Sequence, residues 1–226
     1  MTPTYSDILF DLDGTLTDSG EGIVNSVRHA LRHFGIQEPD GARLHHFVGP
    51  PLEVSFRQKY GFDEAQTARA IEVYREYFTE KGIFENAVYP GIPDLLAALQ
   101  TAGKRLFVAT SKPLIYARRI LAHFGLDGWF SGVYGPGLDG DGTTKGDVIA
   151  QTLRENGIGP ATAVMVGDRE HDVLGAAQNG LPTVGVLYGY GNEEELRAAG
   201  ARHIAPTVAA LYPLLGAGSA PGAAHG

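Results

Sequence analysis

The segment Ile8-Leu9-Phe10-Asp11-Leu12-Asp13-Gly14-Thr15-Leu16-Thr17 sets three large apolar residues directly against two carboxylates, one residue apart. A short apolar run of this kind reads as a buried strand. Each carboxylate is ionised at neutral pH, with an unperturbed pKa of roughly 3.9. Two so close repel unless a cation lies between them or one holds a proton. The carboxyl end of a parallel strand is where an open α/β sheet keeps its ligand crevice. Asp-Gly is also a common turn signal, so a plain turn competes with a site. A calcium loop does not: its sixth position would be Leu16 where glycine is needed, and its twelfth Gly22 where a bidentate Glu is needed.

Working outward, Arg105–Ala109, Ala163–Val166, Thr183–Leu187 and Arg202–Ala205 also read as strands. Helical spacing follows at Pro113–Phe124, His171–Asn179 and Glu193–Ala199, and Gly103, Gly125, Gly157, Gly180 and Gly200 stand where helices should stop. This alternation predicts an α/β fold: a Rossmann-like parallel sheet with helices on both faces. The first strand breaks the rhythm, because nothing strand-like follows it until Arg105. Instead Ile23, Val27, Ala30, Leu31 and Phe34 share one helical face, and Ala70, Val73, Tyr74, Tyr77 and Phe78 share another. The expected organisation is a sheet domain from residues 1–16 and 87–215, a helical insertion over 17–86, and a flexible tail over 216–226. The connections Leu16–Gly22 and Phe84–Gly91 would serve as hinges.

Composition narrows the chemistry. The chain of 226 residues has no cysteine, which excludes disulfides, thiolate metal sites and cysteine nucleophiles. The net charge is -8 with no basic cluster, so nucleic acid is not an expected partner. No apolar run approaches the ~18 residues of a membrane span, and no basic-then-apolar leader opens the chain. A cytoplasmic protein with no membrane partner, monomeric or weakly dimeric, is the expectation.

Two further strand ends and one polar loop carry reactive groups. Val164-Met165-Val166-Gly167-Asp168-Arg169-Glu170-His171-Asp172 repeats the opening design, and Asp168 and Asp172 come together if a helix starts there. Asp11 and Asp168, from two strand ends, suit a hard divalent cation such as Mg2+, although Asp168 alone would read as a helix N-cap. Phe107-Val108-Ala109-Thr110-Ser111-Lys112-Pro113 places a hydroxyl and backbone N–H groups before a helix, which suits phosphate oxygens or a simple cap. Gly142-Thr143-Thr144-Lys145-Gly146-Asp147 puts one lysine before another helix, where it could balance the carboxylates.

In this order, the four elements resemble the haloacid dehalogenase-like hydrolases. Asp11, Asp13 and Thr15 match the family's Asp-x-Asp-x-Thr motif, Thr110 its Thr/Ser motif, Lys145 its lysine motif, and Gly167, Asp168 and Asp172 its Gly-Asp-x-x-x-Asp motif. The insertion then resembles the family's C1 cap. The segments DILFDLDGTLTDSGEGI, FVGPPLEVSF, VATSKP, VMVGDREHDVLGA and VLYGYG look most like the phosphoglycolate phosphatase and 5'-nucleotidase-like branch. Gly146 stands where many relatives have Pro, and Ser111 where Asn is frequent.

The resemblance implies a Mg2+-dependent phosphomonoesterase acting on a small phosphorylated metabolite through an aspartyl-phosphate. Asp11 would be the nucleophile and Asp13 the general acid and base. Mg2+ would bind the Asp11 carboxylate, the Asp13 carbonyl and Asp168, with Asp172 orienting bound water or Lys145. Thr110, Ser111 and Lys145 would hold phosphoryl oxygens. Substrate choice would fall to the cap, with Gly49 and Pro50 in a rigid loop and Arg57 or Lys59 countering charge; ordinary cap surface competes with that reading. A phosphomutase, a dehalogenase on the same scaffold, and a non-catalytic phosphate or Mg2+ binder remain as alternatives. His45-His46 is favoured as structural, since adjacent side chains point apart. Gly189-Tyr190-Gly191 lacks the third glycine of a dinucleotide fingerprint and is discounted.

Overall fold

A computed structural model of the chain describes residues 5–138 and 142–220. Its strands are β1 (Asp7–Phe10), β2 (Thr17–Asp18), β3 (Ala87–Val88), β4 (Arg105–Ala109), β5 (Gly132–Tyr134), β6 (Ala163–Gly167), β7 (Thr183–Val186) and β8 (His203–Ala205). Its α-helices are α1 (Gly20–His33), α2 (Leu52–Tyr60), α3 (Glu64–Tyr77), α4 (Ile92–Thr101), α5 (Leu114–His123), α6 (Lys145–Asn156), α7 (Glu170–Gln178), α8 (Glu193–Ala199) and α9 (Val208–Leu215).

Six strands form one sheet in the order β5-β4-β1-β6-β7-β8, and every neighbouring pair is parallel. From β1 the chain builds toward β4 and β5 on one side, then crosses to β6, β7 and β8 on the other. The switch point therefore lies at β1, which is where such sheets bind ligands. Side chains alternate across β1 as the pleat requires. Ile8 and Phe10 pack with Leu95, Leu99, Ala117 and Leu211 on one face. Leu9 packs with Phe107, Val148, Ile149 and Ala176 on the other. Burial on both faces explains the unbroken apolar runs of the central strands.

Between β2 and β3 the chain is helical. α1 buries Ile23, Val27, Ala30 and Leu31, and α3 buries Ala70, Val73 and Tyr74. These faces meet each other, and Phe78 continues the α3 face into a π-turn over Phe78–Gly82. Each of the two connections holds a short strand. Thr17 pairs with Val88 and Asp18 with Ala87 in an antiparallel ribbon, so the exit and return of the insertion are held together. Gly22 N also donates to Glu85 O at 3.0 Å.

The sequence reading also lacks β5. It has three half-buried residues at the sheet edge, too few to show a strand pattern. α9 ends at Leu215, and Ala217 and Ala220 pack against the core. The remainder of the expected tail, residues 221–226, lies outside the described residues. Among the described residues no helix is long and apolar enough to cross a membrane.

Candidate active site

The loop after β1 is wound around one carbonyl. Leu12 O accepts from the backbone N–H groups of Thr15, Leu16 and Thr17. The ladder runs one residue past β1, because Asp11 N donates to Val166 O at 2.9 Å. Asp11 is thereby fixed at the sheet's carboxyl edge. Gly14 completes the turn with φ +84°, and a Cβ there would lie 2.2 Å from Asp168 Oδ2. Only glycine admits both that backbone and the close approach of Asp168.

The two opening carboxylates are separated by having different lysine partners. Asp11 Oδ1 lies 2.6 Å from Lys145 Nζ, and Asp13 Oδ2 lies 3.0 Å from Lys112 Nζ. Lys145 arrives from the first turn of α6, which is started by a capping box between Thr144 and Asp147. Asn179 at the end of α7 donates to Gly146 O and Gly175 O, both at 2.9 Å, and ties the two helices together. Lys145 also reaches Asp172 Oδ1 at 2.8 Å and donates to Ala109 O at 3.0 Å. Lys145 thus makes two hydrogen bonds, to Asp11 and Ala109 O, and a further ion pair with Asp172.

Asp172 folds back over the end of β6. Its Oδ2 accepts from Arg169 N at 3.1 Å, and a Cβ at Gly167 would lie 2.3 Å from its carboxyl carbon. Asp168 is fully buried, with Oδ2 accepting from Tyr190 N at 2.8 Å and Oδ1 from the Thr15 hydroxyl at 3.4 Å.

Asp11, Asp168 and Asp172 each offer a carboxylate oxygen within 4.8 Å of the others. Burial pushes the Asp11 carboxyl up to about 6 against the pull of Lys145, and Asp172 and Asp13 add to the rise. Burial, then Asp172 and Asp11, hold Asp168 well above the usual carboxylate range. Burial lowers the Lys145 ammonium, but Asp11 and Asp172 outweigh it and raise it overall. Three buried carboxylates thus face one ammonium. The uncompensated negative charge and all-oxygen donor set fit a hard divalent cation such as Mg2+.

Thr110 follows β4, held by Thr110 N donating to Tyr134 O at 3.0 Å. Its hydroxyl accepts from Lys112 N at 3.1 Å, so here it caps the turn. Beside it opens a cleft of about 590 Å³ between the strand ends and the helical insertion. Asp13, Ser111, Lys112 and Lys145 line the sheet side. Phe47, Gly49, Pro50, Tyr74 and Phe78 line the helical side. Arg57 does not line it: the first turn of α2 borders the cleft, and Arg57, a turn further on, is exposed, as is Lys59. The cations that do line it are Lys112, Lys145 and Arg75.

Three contributors escape the sequence reading. Lys112 sits inside the quoted VATSKP segment, but its pairing with Asp13 depends on two strand ends meeting. Arg169 donates from Nε to Glu195 and from a terminal nitrogen to Val48 O, each at 2.8 Å, joining the sheet side to the loop before Gly49. Tyr190 belongs to the discounted Gly189-Tyr190-Gly191 stretch, yet its backbone holds Asp168. His45 and His46 share a 3-10 turn over Gly41–Phe47, where burial lowers the pKa of the His46 imidazole.

Comparison with known proteins places this geometry. A model of the haloacid dehalogenase-like hydrolases matches residues 8–186. The chain is 51% identical over 211 residues to a 5'-nucleotidase of Pseudomonas aeruginosa, covering 93% of this chain and 96% of that protein. It is 48% identical over 187 residues to the tyrosine-protein kinase PtkA of Mycobacterium tuberculosis, covering 83% of this chain but 64% of that protein. Among solved structures, a predicted phosphatase from Clostridium acetobutylicum superposes with a TM-score of 0.91 at 50% identity, covering 93% of this chain and 97% of that one. The chain belongs to the haloacid dehalogenase-like hydrolase family.

Proposed function

We propose that the protein is a Mg2+-dependent phosphomonoesterase working through a phosphorylated Asp11, with a nucleoside 5'-monophosphate as its substrate class. The observation that carries the chemistry is the convergence of Asp11, Lys145, Asp168 and Asp172 at the switch point. A phosphoryl group needs an in-line nucleophile and stabilised equatorial oxygens. Asp11 Oδ attacks phosphorus, and the bond from phosphorus to the ester oxygen breaks. Asp13, which takes up a proton as substrate binds, gives it to that oxygen, releasing the alcohol. It then takes a proton from the water that attacks the aspartyl-phosphate, which returns Asp11 and frees phosphate. The Thr110 hydroxyl, the Ser111 N–H and Lys145 hold phosphoryl oxygens, and Lys145 gives up a protein acceptor to do so. Asp11, the Asp13 carbonyl and Asp168 would hold Mg2+, which would supply positive charge against the phosphoryl oxygens.

The substrate class rests on the cleft. Its volume of about 590 Å³ and its lining by Phe47, Tyr74, Phe78 and Tyr116 suit a leaving group with a planar base. A two-carbon acid such as glycolate would leave most of it empty. The identity to a 5'-nucleotidase supports the same choice. The test is a panel of nucleoside monophosphates, phosphoglycolate and sugar phosphates ranked by kcat/KM, with Mg2+ and with EDTA. Nucleoside monophosphates should rank first, and only with Mg2+. Preference for phosphoglycolate would overturn the substrate class, and undiminished turnover in EDTA would overturn the metal requirement.

A further inference from the structure

The two lysines at the site are in unlike situations. Lys145 is surrounded by Asp11, Asp172 and Ala109 O. Lys112 is nearly as buried, at 9% exposed, but among the described residues its ammonium has a single ion-pair partner, Asp13 Oδ2 at 3.0 Å. Two of its three donors remain for other acceptors. The ammonium also lies 4.7 Å from the centre of the Phe78 ring, which holds it over the apolar wall of the cleft. Phe78 stacks edge-on against Tyr116 at 5.3 Å, so the platform is itself braced across the two sides of the cleft. Lys112 and Asp13 line the cleft together, with Ser111 and Pro113 beside them.

We propose that Lys112 is a specificity-determining residue that binds an oxygen acceptor on the leaving group, close to the ester oxygen. The proposal rests on the phosphatase reading of the same site. A carboxyl that hands a proton to the ester oxygen stands within about 3 Å of it. Lys112 stands 3.0 Å from that carboxyl. Its ammonium therefore reaches oxygens two or three bonds beyond the ester oxygen. A ribose oxygen of a nucleotide and the carboxylate of a phosphorylated small acid both meet this requirement. The alkyl chain of n-propyl phosphate, which also leaves as an alkoxide, carries no acceptor there. This places part of substrate selection on the sheet side of the cleft, opposite Gly49 and Pro50.

The test compares kcat/KM of wild type and Lys112→Met on a nucleoside 5'-monophosphate, phosphoglycolate and n-propyl phosphate. The expected result is a loss on one or both of the first two that exceeds the loss on n-propyl phosphate by at least about tenfold. Loss confined to the nucleotide identifies a ribose oxygen; loss confined to phosphoglycolate identifies a carboxylate. An equal loss on all three substrates overturns the proposal, because Lys112 would then act only through Asp13. No loss on any also overturns it. Lys112→Arg keeps the charge and the packing bulk should the Met variant fail to fold. It should show the same selective pattern in weaker form, and a uniform pattern again overturns the proposal. A wild-type protein that hydrolyses none of the three overturns the phosphatase reading itself, and this proposal with it.

Discussion

The Tyr190 hydroxyl lies 2.6 Å from the backbone nitrogen of Gly20 and accepts its hydrogen bond. Ser19, at the N-cap position of α1, provides no side-chain cap of its own. A residue from the loop after β7 thus caps the first helix of the insertion. The same hydroxyl donates to Asp18 Oδ1 in the ribbon, while Tyr190 N holds Asp168. One residue therefore ties a candidate metal ligand to the neck of the helical insertion.

Tyr190→Phe removes the cap and leaves the bond to Asp168 intact, since that bond is made by the backbone. We expect a stability loss of about 1 kcal/mol in urea unfolding. The Mg2+ concentration for half-maximal activity should stay within about threefold of wild type. Unchanged stability would show that water replaces the hydroxyl without cost.

Lys145→Met leaves Asp11 and Asp172 buried together without their cation. Removing one partner of a buried pair typically costs about 3–5 kcal/mol. Metal-free stability should fall by an amount of that order, and turnover by at least about a hundredfold. Mg2+ binding, followed by its thermal stabilisation, should not weaken, because the cluster becomes more negative. Weaker Mg2+ binding would show that Lys145 mainly positions the carboxylates.

The raised Asp11 value gives a pH signature. Folded Asp11 titrates at about 6 against a usual 3.8, so between those values the folded chain holds a proton that the unfolded chain has released. This group's contribution to stability is largest below about pH 4 and is lost as pH rises through about 6. Asp168, raised mainly by burial, acts in the same direction. Protons and metal compete for these carboxylates. The rise in melting temperature on adding Mg2+ should therefore be larger at about pH 8 than at about pH 5. An equal rise at both would contradict the assignment of the metal to this cluster.

The elements that place the chemistry were legible because they are buried on both faces. β1, β4 and β6 read as continuous apolar runs, and each ends in its reactive residue. β2 and β3 left no such trace: each has two residues and exists through pairing across the whole insertion. In the site, Asp11, Asp168 and Asp172 stood out because they follow strand ends closely, and Lys145 because it opens a helix. Lys112 and Tyr190 did not, since each matters through a contact with a distant loop. Arg57 shows the converse. Its charge was visible in the sequence, but the direction in which α2 carries it away from the cleft was not.

The central claim is that Asp11 carries the phosphoryl group between substrate and water. Rapid mixing with a radiolabelled phosphomonoester in the presence of Mg2+, followed by acid quench, tests it most directly. Wild-type protein should retain acid-stable, hydroxylamine-labile label on the peptide containing Asp11. Asp11→Asn should retain none and should turn over at a rate indistinguishable from buffer. Label on another residue, or full turnover by Asp11→Asn, would contradict the account.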